Sequence, residues 1–319
     1  MSANGIKIVF GGAAFMSGSV DDVTDWLKTL EEAGITTIDT AQIYGASEEL
    51  LGKAGAASRF SIDTKHPSGF SPQPSTKDVV VNSCKESLQK LKTNAVDVYY
   101  LHAPDRRLPW KDTLSGLNEL YKQGAFKRLG LSNFLGHEVE EIIRVAKENN
   151  FVLPSVYQGN YSAVARRVEE EILPILRKHN IAFYAYSPIA GGFLSKSKAA
   201  LTDPEGRFGK DNPLAKVYNG MYNRPSFVAA LDVWEQIAKD EGVSRAELAY
   251  RWVVYHSKLQ GDLGDAVIIG ARNQQQLKET LEALKNGPLS DGAVKRISEI
   301  WESVKAEAVL DNFELLSKR

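Results

Sequence analysis

Residues 35–65 read ITTIDTAQIYGASEELLGKAGAASRFSIDTK. Two short β-rich runs, ITTID at 35–39 and RFSIDT at 59–64, flank the longer amphipathic segment SEELLGKAG. Strand, helix, strand in this order is the unit of a parallel sheet, whose neighbours need a crossover and cannot be joined by a hairpin. The pattern extends both ways. KIVFG at 7–11 precedes it and AVDVYYLH at 95–102 follows, separated by VDDVTDWLKTLEEAG and TKDVVVNSCKESLQKLKT. In the latter, Val79, Val80, Cys84, Leu88 and Leu91 recur at helical spacing, with Thr76 as the cap region.

Four more strands follow: KRLGLS at 127–132, LPSVYQ at 153–158, NIAFYAYS at 180–187 and DAVIIG at 265–270. The repeating strand-then-helix unit predicts an α/β fold, a single (β/α)8 TIM barrel over residues 1–319. A long loop is expected at 188–225, after the seventh strand, with a C-terminal helix and tail from about 289. A doubly wound dinucleotide fold would carry GxGxxG after an early strand. FGGAAFMSG instead places Gly11, Gly12 and Gly18 at the wrong spacing.

Composition limits the function classes. The chain has 319 residues, 43% hydrophobic, with a formal charge of -1, so it has the apolar mass for a large core and no general attraction to polyanions. Disorder and a disulfide scaffold are excluded by the same figures. One cysteine, Cys84, and five histidines without an HExxH arrangement predict no metal site. MSANGIKIVFGG lacks the features of a secretory signal, and no run approaches the roughly 20 apolar residues of a membrane helix. The expectation is a cytoplasmic protein with neither a nucleic-acid nor a membrane partner.

Asp39, Tyr44, Lys65 and His102 fall at or just after the ends of consecutive predicted strands. Each alone has a plain structural explanation. Together they would open on the barrel face where active sites form. Lys65 beside Tyr44 would draw the phenol pKa down, Asp39 would keep the lysine charged, and His102 would orient a carbonyl oxygen. The set describes carbonyl polarisation, hydride delivery to carbon and proton delivery from Tyr44 to oxygen.

These residues, with GLSNF at 130–134, VYQGNYS at 156–162, YAYSPIAGGFLS at 184–195, GRF at 206–208 and IIGARNQQQLKET at 268–280, resemble the aldo-keto reductase superfamily. HSKLQGDLGDAVIIG and EALKNGPL make the chain most similar to its aflatoxin aldehyde reductase branch. The resemblance implies NADPH/NADP+ as cofactor and reduction of a small aldehyde or reactive ketone. It assigns catalysis to Asp39, Tyr44, Lys65 and His102. It assigns the nicotinamide end to Asp39, Ser132, Asn133, Gln158 and Tyr186, and the pyrophosphate loop to Ser187, Pro188, Ile189, Ala190, Gly191, Gly192 and Ser197, with Arg207 beyond. Gly270, Ala271, Arg272, Gln276, Glu279 and Thr280 take the adenosine end, where Arg272 would fork onto a 2′-phosphate. Gln276, Thr280 and Ser197 replace the arginine, asparagine and lysine of other branches. For the substrate mouth the expected residues are Phe15, Tyr44, His102, Trp110, Tyr218, Tyr222, Arg224 and Arg319, with Met16, Ile43 and His66 as further wall. The branch also implies room for a homodimer. Two other readings stand at this point: a nucleotide-sensing interaction protein of the same superfamily, and an unrelated (β/α)8 hydrolase.

Overall fold

The structure is a computed structural model that describes residues 2–202, 208–209 and 215–317. Parallel strands β2 (Ile6–Gly11), β3 (Thr37–Asp39), β4 (Ser61–His66), β5 (Val96–Leu101), β6 (Phe126–Ser132), β7 (Pro154–Asn160), β8 (Ala182–Tyr186) and β9 (Ala266–Ile269) pair in chain order. β9 then pairs with β2, Lys7 facing Ala266 and Phe10 facing Ile269, which closes the barrel. A two-residue strand, β1 (Ser2–Ala3), folds antiparallel onto β2 outside the ring. All eight barrel strands coincide with the runs read from the sequence to within about two residues at each end. One shift matters: β4 continues to His66, so Lys65 lies inside the strand and not beyond it.

Alternation along the strands sorts the side chains into two cores. Val9, Val98, Tyr100, Val156, Ala182, Tyr184, Ala266 and Ile268 form a separate apolar cluster filling the barrel interior. The larger core lies between strands and helices, and holds Trp234 and Trp252 almost fully buried. Around the strands run α1 (Val20–Glu32), α2 (Ser47–Lys53), α3 (Lys77–Leu91), α4 (Trp110–Lys122) and α5 (Gly136–Glu148). α6 (Val168–Glu171), α7 (Leu173–Lys178), α8 (Ala215–Tyr222), α9 (Pro225–Asp240), α10 (Arg245–His256), α11 (Gln274–Lys285), α12 (Asp291–Val304) and α13 (Asn312–Ser317) complete the set. Their starts are marked chemically: the side chains of Ser19, Thr76, Ser244, Asn273 and Ser290 each accept a bond from the backbone three residues on. No helix among the described residues is long and apolar enough to cross a membrane.

Two segments differ from expectation. RVEEEILPILRKH is two helices, because Pro174 in the first turn of α7 has no N–H to give the preceding turn. The segment 188–225 is partly helical, with tight turns at Ala190–Ser195 and Ala199–Thr202 and then α8. Met221 and Tyr222 of α8 are buried, and Tyr222 meets Phe193 and Phe227 at ring separations of 5.9 and 6.2 Å. Gly, Pro and Asn in the stretch mask that apolar side.

The contact of α2 with α3 depends on the missing side chain of Gly52. A Cβ there would stand 1.9 Å from the carbonyl oxygen of Lys90, a backbone atom that cannot step aside. Gly52→Ala is expected to destabilise the fold by about 2 kcal/mol, read as a lower urea midpoint at unchanged slope. An unaltered midpoint would contradict the packing.

Candidate active site

Gly11, Asp39, Ser132, Gln158 and Tyr186 sit at or near the C-terminal ends of their strands and line one cleft of about 1660 Å³ at that barrel face. At its base lies an ion pair. Lys65 Nζ donates to both Asp39 carboxylate oxygens, at 2.7 and 2.6 Å, and to the Thr40 carbonyl at 2.7 Å. An ammonium has three N–H groups, and all three are committed. Both side chains are buried, at 0% and 4% exposure, so each charge depends on the other for its solvation. Gln158 Nε2 adds a third bond to Asp39, at 2.9 Å.

Tyr44 stands above this pair on a turn after β3, with the Lys65 ammonium 5.4 Å from its ring centre. His102 meets the same ring edge-on, with centres 5.7 Å apart. Burial, followed by the negative charge of Asp39, raises the Tyr44 pKa well above the ordinary phenol value. The expectation that Lys65 draws it down is thereby corrected. With its three hydrogens on Asp39 and Thr40, the ammonium has none for the phenol, and Asp39 offsets its charge. Tyr44 holds its proton. Burial, then the nearby Lys65 charge, pushes His102 well below the usual imidazole pKa, so it is neutral. Its Nδ1 has no hydrogen-bond partner among the described residues.

Asn133 ties three parts of the rim together. Its Nδ2 donates to the His102 carbonyl at 2.9 Å, and its Oδ1 accepts from the Tyr186 hydroxyl at 2.8 Å. It does so from a left-handed backbone, φ 63°, a conformation that asparagine tolerates better than most residues. After Tyr186 the chain turns sharply: Ser187, Ala190, Gly191 and Gly192 have φ of 57°, 52°, 65° and 98°. At Gly191 there is a second constraint, since a Cβ would lie 2.1 Å from the Tyr218 ring. The loop is glycine there because α8 lays an aromatic ring across it.

The cleft runs unbroken from Tyr44 and His102 past Ser132, Asn133, Ser187, Pro188, Ile189, Gly191, Gly192 and Ser197 to Gly270, Ala271, Arg272, Gln276, Glu279 and Thr280. Ala190, expected in that lining, is instead fully buried behind it. Arg207 and Arg319 lie outside the described residues. At the far end Gln276 accepts the backbone N–H of Arg272 at 3.0 Å, while Asn273 caps α11. The Arg272 side chain is exposed and has no ion-pair partner among the described residues.

The substrate mouth needs more correction. Tyr44, His102, Tyr218, Met16 and Ile43 line the cleft as expected, and Met16 and Ile43 are 42% and 41% exposed. Phe15 does not, because it packs on Phe10 and Trp26 inside the core. Trp110 lies against Phe134 on α4. Tyr222 is buried with its hydroxyl on Asn160, and Arg224 turns its Nε to the Gly220 carbonyl at 2.8 Å. His66 is held beneath the site between the hydroxyls of Ser83 and Ser75. Phe70 and Asn312 line the cleft and were not foreseen. Phe70 packs on His102 at 5.2 Å and on Phe313 of the tail at 5.1 Å, a meeting of distant segments with no local sequence signal.

Burial lowers the His66 pKa from 6.5 to about 4. Below pH 6.5 the unfolded chain binds a proton here that the folded chain refuses, so stability falls as pH drops through the window from 6.5 to 4. At pH 5 this single group costs about 2 kcal/mol relative to pH 8. Urea midpoints at the two pH values are expected to diverge less in His66→Asn than in the parent; equal divergence would remove His66 as a cause.

The Aldo/keto reductase family model matches residues 7–302 of the chain. Over 299 residues the chain is 39% identical to "Oxidoreductase sirO" of Leptosphaeria maculans, covering 93% of this chain and 91% of that protein. It is 40% identical over 298 residues to "Aflatoxin B1 aldehyde reductase member 2" of Homo sapiens, covering 88% and 82%. The Rattus norvegicus protein of the same name is 38% identical over 299 residues, covering 88% and 80%.

Proposed function

The chain belongs to the aldo/keto reductase family and is an oxidoreductase of carbonyl compounds, and we propose that it is a one-domain NADPH-dependent reductase of aldehydes or reactive ketones with Tyr44 as the proton donor. The observation that carries the reading is the cleft itself, with Tyr44, His102 and the Lys65–Asp39 pair at one end and the exposed Arg272 at the other. Its lining suits a pyridine dinucleotide. Gly191 and Gly192 leave backbone without side chains along the middle, and Arg272 offers a guanidinium fork for a 2′-phosphate. When bound, the cofactor supplies hydride to the carbonyl carbon.

The protein's own part is to place the carbonyl and complete the proton balance. Neutral His102 donates to the carbonyl oxygen and fixes its direction. As negative charge gathers on that oxygen, the Tyr44 O–H bond breaks and a new O–H bond forms on the product alcohol. An alkoxide is a stronger base than a phenolate, so even a phenol held above its ordinary pKa gives up the proton. Solvent then returns a proton to Tyr44. Lys65 and Asp39 supply a fixed field beneath the phenol. Family membership leaves no place for the hydrolase reading. A nucleotide sensor would bind NADPH without consuming a carbonyl.

Two measurements test the proposal. Tyr44→Phe is expected to keep NADPH affinity by fluorescence titration and to lose turnover by a factor of about 10² or more; a parental rate would refute the acid role. Arg272→Ala is expected to weaken NADPH binding more than NADH binding, by about tenfold. Equal losses for both nucleotides would exclude a contact to the 2′-phosphate.

A further inference from the structure

We propose that Tyr100 is a positioning residue for Lys65, and that position 130 is glycine because the Tyr100 ring occupies the space of its side chain. The proposal rests on the reading of Lys65 as part of the Tyr44 machinery. Lys65 on β4, Tyr100 on β5 and Gly130 on β6 are Cα partners in one row across three neighbouring strands. Tyr100 belongs to the cluster that fills the barrel interior, so this row faces inward.

The Lys65 ammonium lies 5.4 Å from the centre of the Tyr44 ring and 5.4 Å from the centre of the Tyr100 ring. One cation is thus set against two aromatic faces, each of which carries negative quadrupole density. The three N–H bonds to Asp39 and Thr40 fix the direction of the charge. The two rings close apolar sides around it, limiting how far the flexible lysine stem can swing. The Tyr100 hydroxyl has no hydrogen-bond partner among the described residues, so what this residue brings to Lys65 is its ring.

Gly130 supports that ring directly. A Cβ at 130 would lie 2.2 Å from Tyr100 Cδ1 and 2.5 Å from its Cε1, distances no side chain can hold. Gly130 is absent from the residues with left-handed backbone, so its dihedral angles do not call for glycine. Space does. Any side chain at 130 tilts the Tyr100 ring out of its seat and takes the lower face away from Lys65.

The test compares Tyr100→Phe, Tyr100→Leu, Gly130→Ala and the double variant Tyr100→Leu/Gly130→Ala in the full chain, with carbonyl reduction followed by NADPH absorbance well below each unfolding midpoint. Tyr100→Leu and Gly130→Ala are each expected to lower kcat about tenfold, with KM and NADPH affinity within about twofold of the parent. Tyr100→Phe, which keeps the ring, is expected to restore kcat to within about twofold. The double variant is expected to be no slower than Tyr100→Leu, since Gly130 acts through the ring that has been removed. If Tyr100→Leu does not fold, Tyr100→Met is read in its place. Parental kcat in Tyr100→Leu, a Phe variant as slow as the Leu variant, or multiplied losses in the double variant would each overturn the proposal. Loss of activity in Tyr44→Phe alongside a full rate in Tyr100→Leu defeats only this inference. An active Tyr44→Phe defeats the reading beneath it.

Discussion

An ammonium and a carboxylate with almost no access to water, Lys65 and Asp39, set the terms for the barrel mouth. Removing a charge from water costs several kcal/mol unless close partners replace the lost hydration. Here the replacement is complete on the lysine side, and Gln158 adds to it on the aspartate side. Strand register makes the arrangement possible, because Asp39 and Lys65 come from adjacent strands, β3 and β4, with side chains that can meet over the barrel interior. Loss of either partner would leave a bare charge inside the protein. The pair therefore constrains β3, β4 and β7 together.

A saturated ammonium also changes how its influence on Tyr44 is understood. It reaches the phenol as a field across the ring, with no N–H left to offer. The phenol stays protonated, and the imidazole beside it stays neutral, both chiefly because they are buried. With Tyr44 as the proposed donor and His102 as the proposed orienting group, the resting site is already in the protonation state that carbonyl reduction would consume.

The fold was legible because its signals are local. Each strand of the barrel is a short apolar run bounded by turn residues, and each following helix shows its own periodicity or cap. Asp39, Tyr44 and His102 were legible for the same reason: they stand at strand ends or just past them, where the register needs no knowledge of distant contacts. The substrate mouth was less so. Phe15 and Trp110 are aromatic residues near the correct end of the barrel, yet each found a closer apolar partner in Phe10 and Phe134. Arg224 was consumed by a helix carbonyl, while Asn312 came into the lining through a tail that folds back from the far end of the chain, where Phe313 packs on the Phe70 ring. The space demand at Gly191 was likewise invisible, since the ring that crosses it belongs to α8.

Closure of the ring joins β2, near the start of the chain, to β9, close to its end. During synthesis the open edge of β2 therefore has to wait for most of the polypeptide to emerge before its final partner exists. An unpaired strand edge is a template for association with other chains. β1 folds back at the start of that strand, with Ser2 opposite Lys7 and Ala3 opposite Ile6. It does not screen the seam, because Lys7 pairs with Ser2 on one edge and with Ala266 on the other; the edge from Lys7 to Phe10 is sealed by β9. Until β9 emerges the ring of strands cannot close along that seam, which makes it the place where an unfinished chain is most open to association.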